Sequence, residues 1–146
     1  MKVSARAEYA CLAVLDLALN YGSPEPVRIK RIAAAREIPH GFLVQILQQL
    51  RAAGYVSSTR GSAGGYQLAR SPEQISLADV LTAIDGSRHL DYDLASSKLT
   101  PALRALRSVW QQAAEHVEQI LDQITFADLV ERARSDVSLP VVGDWI

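Results

Sequence analysis

Hydrogen-bonding side chains recur on one face of a predicted helix that begins near Pro39. Its apolar residues fall at three- and four-residue steps and form one stripe directed at a core: Phe42, Leu43, Ile46, Leu47 and Leu50. The opposite face carries His40, Gln45, Gln48, Gln49 and Arg51. Such side chains can donate to or accept from base edges and phosphates. Proline suits the first turn of a helix, and Gly54 supplies the left-handed residue that commonly follows the last turn.

A glycine-rich turn between two short β-prone runs follows this helix. The runs Tyr55 to Thr59 and Tyr66 to Ala69 predict a hairpin, with three glycines among the five positions 61–65. Glycines let the backbone turn tightly and approach another surface, and an arginine beside such a turn can enter a minor groove. The hairpin positions expected at a nucleic acid are Ser58, Arg60, Gly61, Gly64, Gly65 and Tyr66. An ordinary hairpin with a solvated Arg60 is the alternative, and the amphipathic helix just before it favours the nucleic-acid interpretation.

Basic residues are concentrated in one part of the chain, although its net charge is only −1. Residues 28–70 hold seven basic side chains and one acid, Glu37, which gives this segment a charge of +6. Residues 71–146 hold six basic side chains and twelve acids, which gives −6. A positive field over the predicted helix and hairpin suits a polyanionic partner, and a dimer would double it.

The central stretch has a long pattern of fixed spacing, FLVQILQQLRAAGYVSSTRGSAGGYQLARSPEQISLADVLTAIDG. Together with SARAEYACLAVLDLAL at the start and ITFADLVERA near the end, it resembles the IscR/NsrR-type regulators, a family of dimeric bacterial winged helix-turn-helix transcription factors. The resemblance extends through most of the chain and implies a mainly α fold with a small β-hairpin wing. It also implies a winged helix-turn-helix DNA-binding domain over residues 1–86, a loop over 87–99, and a dimerisation helix with a C-terminal tail over 100–146.

Ile29 to Ile38 predict the helix before the polar one, and its start is unusual. Arg28, Lys30 and Arg31 gather at the positive end of the helix dipole, where acids are usually favoured. These cations form either a solvated basic face or a set of phosphate contacts, in which an anion would offset their mutual repulsion. The sequence leaves both interpretations open.

The longest predicted helix starts at Thr100 and Pro101, which suit its cap and first residue. Apolar residues then step by three and four without a fault: Leu103, Leu106, Trp110, Ala113, Val117, Ile120 and Ile124. The helix would be roughly 35 Å long, too long to be covered by one small winged-helix domain. Burial in the chain's own core is the alternative, and we expect a sister chain to cover this seam in a homodimer.

Iron–sulfur ligands are missing from this chain. Many of the regulators that it resembles hold a cluster through three cysteines in the loop before the long helix, some with a histidine one turn later. The one cysteine here is Cys11, in the first predicted helix. Counting from Trp110, the resemblance places Arg104 and Arg107 where the last cysteine and the histidine would stand, and arginine cannot ligate iron. We therefore expect no cofactor and no metal, and an unidentified effector or protein partner stays possible as the signal.

Two further groups of residues could in principle bind metal. Some of the similar regulators use a carboxylate at the position of Glu8 as a cluster ligand, but without partner cysteines an exposed or salt-bridged glutamate is expected. His89, Asp91 and Asp93 lie in a polar loop, and their spacing matches no strong ligand pattern. The prediction there is a solvated loop, with a metal site as the alternative.

Several function classes are excluded by what the sequence lacks. It has no apolar run near twenty residues and no signal-peptide pattern at its start, so a cytoplasmic protein without a membrane span is expected. No histidine, cysteine or serine falls in a recognisable catalytic spacing, which argues against an enzyme. The predicted function is a homodimeric transcription regulator, expected to be a repressor, that binds a palindromic operator in double-stranded DNA. The alternative is a winged-helix protein-interaction module that has lost sequence-specific DNA binding.

Overall fold

Six helices and one two-stranded hairpin make up the described part of a computed structural model, which covers residues 3–86 and 99–136. In chain order the elements are α1 (Ala5–Leu19), α2 (Ile29–Arg36), α3 (His40–Ala52), β1 (Val56–Thr59), β2 (Gly65–Leu68), α4 (Leu77–Asp85), α5 (Pro101–Gln123) and α6 (Phe126–Ser135). A single 3-10 turn, Pro72–Gln74, lies between β2 and α4. The predicted mainly α fold with a small hairpin is confirmed.

Helix α1 lies at the centre of the core and packs against α3, α4 and α6. Ala7, Ala10 and Ala13 are completely buried, and their small side chains allow the neighbouring helices to approach closely. Ser4 caps the helix, since its Oγ accepts a hydrogen bond from the backbone N–H of Ala7 at 3.0 Å. The buried side of α1 therefore packs against α3 and helps to hold it in place.

The apolar stripe of α3 faces the core as predicted, with one exception. Leu43, Ile46, Leu47 and Leu50 are completely buried. The prediction for Phe42 is wrong, because 47% of its surface is exposed. Its ring centroid lies 5.9 Å from that of Tyr9 on α1, so Phe42 stands at the edge of the stripe where α1 passes alongside.

The hairpin pairs antiparallel, with Val56 opposite Leu68 at its base and Thr59 opposite Gly65 near its tip. Val56 and Leu68 are buried, which fixes the base on the core. Val27 and Tyr66 exchange backbone hydrogen bonds of 2.9 and 2.8 Å. The segment just before α2 is thereby paired to β2, and the hairpin lies beside the start of α2.

Two capping boxes stand at the starts of α4 and α6. Ser76 and Asp79 form the box that the sequence predicts for α4, and Thr125 and Asp128 form a second one for α6. The hydrogen bond from the backbone N–H of Thr125 holds the pKa of the Asp128 carboxyl below its usual range. The two starts are joined by backbone hydrogen bonds of 2.9 Å, from Leu77 to Ile124 and from Phe126 to Ile75. This link anchors the end of α5 to the start of α4.

Helix α5 begins after the Thr100 cap with Pro101 in its first turn, as predicted, and is 23 residues long. The residues of the predicted seam differ in their burial. Leu103 and Val117 are half-buried against the chain itself, and Ile124 lies just past the last helical residue. Leu106, Val109, Trp110, Ala113 and Ile120 are exposed along one side of the helix. An apolar face thus runs along α5 on the side turned from the chain's own core.

The polar loop with His89, Asp91 and Asp93, and the apolar tail over residues 137–146, fall outside the described residues, so the predictions made for them stay predictions. Within residues 3–86 and 99–136, no helix has both the length and the apolar character that a membrane crossing needs.

Candidate nucleic-acid interface

The predicted polar face of α3 is present and points away from the core. His40, Gln45, Gln48 and Arg51 are exposed, and Gln49 is half-buried. The completely buried stripe on the opposite side fixes this orientation, because α3 cannot rotate without exposing it. The helix ends where expected: Gly54 follows with a φ of +86°, the left-handed conformation that glycine adopts without strain.

Helix α1 and the hairpin border this polar face on either side. Toward the hairpin, Nη1 of Arg51 donates to Oγ of Ser58 at 3.0 Å. Toward α1, Nη2 of Arg6 donates to Oε1 of Gln49. Arg6 is not among the predicted residues, because this contact joins residues 43 positions apart and no local pattern indicates it.

A basic cleft of about 470 Å³ opens between the start of α2 and the hairpin. Its described lining includes four cations, from Arg28, Lys30, Arg51 and Arg60, and no acid. Nη2 of Arg28 donates to the backbone oxygen of Ser62, which connects the start of α2 to the hairpin tip. Within the described chain no side chain caps α2, so its first N–H groups stay available to an anion. We call this feature the basic cleft.

The predicted contact residue Arg31, and Arg70, which contributes to the charge of residues 28–70, lie outside the basic cleft. Arg31 is exposed, and its Nη2 reaches Oδ1 of Asn20 at the end of α1, at 3.4 Å. Arg70 lies with its guanidinium carbon 5.0 Å from the ring centroid of Tyr55. Burial of Tyr55, together with the nearby Asp79 carboxylate, raises the pKa of its phenol. Only some of the cations that give residues 28–70 their charge of +6 therefore line the basic cleft.

Two of the predicted glycines are required by close backbone packing in the hairpin. A Cβ at Gly64 would lie 2.2 Å from the backbone oxygen of Thr59, and one at Gly65 would lie 2.4 Å from that of Val27. Any larger residue would push the turn apart or move the hairpin off the segment before α2. Gly61 and Tyr66, the remaining predicted hairpin positions, line the basic cleft.

A buried ion pair behind the interface was also missed. Asp16 on α1 is only 4% exposed, and its Oδ1 accepts from Nη2 of Arg36 at 2.8 Å and from Nε at 2.9 Å. Arg36 is in the last turn of α2, so the pair fixes α2 on α1. A signal was present in the sequence: Asp16 interrupts the apolar run LAVLDLAL, and a buried acid needs a partner.

Helix α5 carries Arg104, which is exposed, and Arg107, which is half-buried. Glu8 is exposed on α1. In the parts of the chain that the structure describes, no three histidine, cysteine, aspartate or glutamate side chains form a group that could hold a metal ion.

Comparison with known proteins matches this chain to one family. Residues 3–132 fit the Rrf2 family, described as an iron-dependent transcriptional regulator. The chain is 33% identical over 131 residues to the HTH-type transcriptional regulator IscR of Sodalis glossinidius, a match that covers 89% of this chain and 79% of that protein.

Solved structures agree with this assignment. IscR of T. potens superposes with a TM-score of 0.76 at 32% identity, covering 100% of this chain and 97% of that one. CymR, the global cysteine regulator of B. subtilis, gives 0.80 at 29% identity, covering 93% and 99%. The polar face of α3 and the hairpin thus belong to a winged-helix regulator, and the chain is not an enzyme. This protein belongs to the Rrf2 family of DNA-binding transcription regulators.

Proposed function

We propose that this protein is a homodimeric repressor that binds a palindromic operator with α3 and the hairpin of each subunit. The observation that carries the proposal is the basic cleft, in which four cations without an acid adjoin the polar face of α3. Three of these cations come from the start of α2 and from the hairpin, both beside α3, so a duplex lying on α3 would meet them with its phosphates. Repression needs only occupation of the operator, and this surface is sufficient for that.

Each element of the surface has a role in this proposal. The exposed side chains of α3, among them Gln45 and Gln48, enter the major groove and meet base edges. Arg28 and Lys30 at the start of α2 contact phosphates, and the tight turn allows Arg60 to reach the adjacent minor groove. Arg60 is exposed, as this role requires.

The second subunit is proposed from the exposed apolar face of α5. Leu106, Val109, Trp110 and Ile120 are 47%, 60%, 43% and 57% exposed in the single chain. Large apolar side chains exposed along one side of a helix mark an interaction surface in a soluble protein, and a helix of this length suits pairing with its own copy. Two subunits in fixed register would read the two halves of a palindrome.

A salt titration of DNA binding tests the proposal directly. If about six phosphates are neutralised per dimer, the logarithm of affinity should fall against the logarithm of salt concentration with a slope near −5. The measurement is fluorescence anisotropy on a labelled duplex between low and physiological salt. A flat response would favour the protein-interaction module over a DNA-binding regulator.

Arg60→Ala is expected to weaken operator binding by about 1–3 kcal/mol, because the side chain would lose its place in the minor groove. Arg132→Ala is the matched control, since it removes the same charge from an exposed position on α6, away from the basic cleft. Equal operator affinity for Arg60→Ala and Arg132→Ala would contradict the role given to Arg60.

An iron–sulfur cluster does not fit the residues of this chain, and we propose that the regulator works without one. A cluster needs thiolate or imidazole donors, whereas the one cysteine, Cys11, lies within α1. Arg104 and Arg107 are on α5 where the resemblance would place two ligands, and a guanidinium has no lone pair to give. The protein is expected to purify colourless after anaerobic isolation and to bind its operator as isolated. A brown protein that contains iron would overturn this proposal.

A further inference from the structure

Arg6 and Gln49 connect α1 to the flank of the polar face. Nη2 of Arg6 donates to Oε1 of Gln49, and both side chains are half-buried. Nε of Arg6 is fully buried and has no hydrogen-bond partner among the described residues. The guanidinium therefore lies at the contact between α1 and α3, with its Nη2 on Gln49.

This contact fixes the orientation of the Gln49 carboxamide. Arginine carries only donors, so the atom of Gln49 that faces Arg6 must be the oxygen. The –NH2 group is then the end of the carboxamide left for a ligand. Without Arg6, rotation by half a turn about the last side-chain bond would exchange the two ends at little cost.

Gln49 is the side chain of the polar face that contacts α1, through its hydrogen bond with Arg6. Phe42 stands two turns before Gln49 on the same side of α3, and its ring contacts Tyr9 of α1. Helix α1 thus follows this whole side of α3. Gln45 and Gln48 are exposed.

We infer that Arg6 is a positioning residue that makes Gln49 a hydrogen-bond donor to DNA and so favours guanine over adenine at its base pair. In the major groove guanine presents two acceptors, N7 and O6, whereas adenine presents one acceptor and one donor. Glutamine recognises adenine by using its oxygen and its nitrogen together. With the oxygen turned toward Arg6, the –NH2 group is the end directed at the base, and its two donors match the two acceptors of guanine. The inference rests on the proposed function, because it requires α3 to lie in the major groove.

The experiment selects preferred duplexes from a randomised library with four proteins: wild type, Arg6→Met, Arg6→Lys and Gln49→Ala. Methionine keeps the aliphatic stem of Arg6 but has no donor, and lysine keeps a donor. Thermal melting of each variant confirms that it is folded. The quantity compared is the base preference at each operator position, which a loss of general affinity would not change.

Wild type should enrich guanine at one position in each half-site. Arg6→Met should shift that position toward adenine by about tenfold relative to wild type, Arg6→Lys should retain guanine, and Gln49→Ala should lose the preference there. If Arg6→Met selects the same bases as wild type, including with uniformly weaker binding, the inference is wrong while the proposed function stands. If wild type selects no sequence at all, the proposed function fails and the inference fails with it.

Discussion

Trp110→Glu is expected to convert the proposed dimer into monomers, with a rise in its dissociation constant of at least about 100-fold. Trp110 is the largest side chain on the exposed face of α5, between Leu106 and Ala113. In a symmetric dimer the substitution would put two carboxylates into an apolar contact, one from each subunit. Burying such a charge costs several kcal/mol, and each 1.4 kcal/mol is a factor of ten in the dissociation constant.

Sedimentation equilibrium measures the effect, with two controls from the same helix. Trp110→Phe keeps an apolar ring and should remain dimeric. Gln112→Glu adds the same charge at an exposed polar position two residues further along, and it should also remain dimeric. A Trp110→Glu protein that stays a tight dimer would place the interface on another surface.

Operator binding should follow the oligomeric state. A monomer presents one α3, so Trp110→Glu should lose more affinity for the palindrome than for random DNA. The two affinities are compared at one protein concentration and one salt concentration, because both binding modes depend on salt.

The local part of the fold was predictable because it depends on residues close together in sequence. The spacing of Leu43, Ile46, Leu47 and Leu50 predicts one buried face, and all four are buried. The Ser76 and Asp79 capping box and the Gly54 stop are equally local and are present. Phe42 shows what periodicity cannot predict. The spacing places Phe42 within the apolar stripe, but it does not tell how much of that stripe the neighbouring helix covers.

The long-range contacts could not be predicted from spacing. The Arg6–Gln49 and Asp16–Arg36 pairs join residues 43 and 20 positions apart, and each depends on how two helices cross. The heptad pattern of α5 shows the same difficulty. It predicts an apolar stripe, but only the tertiary structure separates Val117, which packs against the core, from Leu106 and Ile120, which are exposed.

The second large expected effect is on stability and concerns the Asp16–Arg36 ion pair. Its two side chains differ in exposure. The Asp16 side chain is 6% exposed, whereas that of Arg36 is 33% exposed. Removing Arg36 would leave a carboxylate buried without its cation. Removing Asp16 would leave an arginine that can turn to water. The two single substitutions should therefore have unequal costs, although they break the same contact.

Arg36→Ala is expected to lower the free energy of unfolding by about 3–5 kcal/mol, the usual loss when a buried charge is left unpaired. Asp16→Ala should cost less, about 1–3 kcal/mol, as for a hydrogen bond to a charged group. Urea unfolding at a fixed protein concentration measures both values, because the stability of a dimer depends on concentration. Arg31→Ala, which removes an exposed arginine from the same helix, is the control and should change little.

The double variant Arg36→Ala with Asp16→Asn decides whether the unpaired buried charge causes the loss of stability in Arg36→Ala. A neutral amide at position 16 has nearly the shape of the carboxylate but carries no charge, so it should recover part of the stability lost in Arg36→Ala. If the double variant is less stable than Arg36→Ala alone, the loss comes from packing of the Arg36 stem on α1. Because α2 carries Arg28 and Lys30 into the basic cleft, the same order of effects should appear in operator affinity measured well below the unfolding temperature.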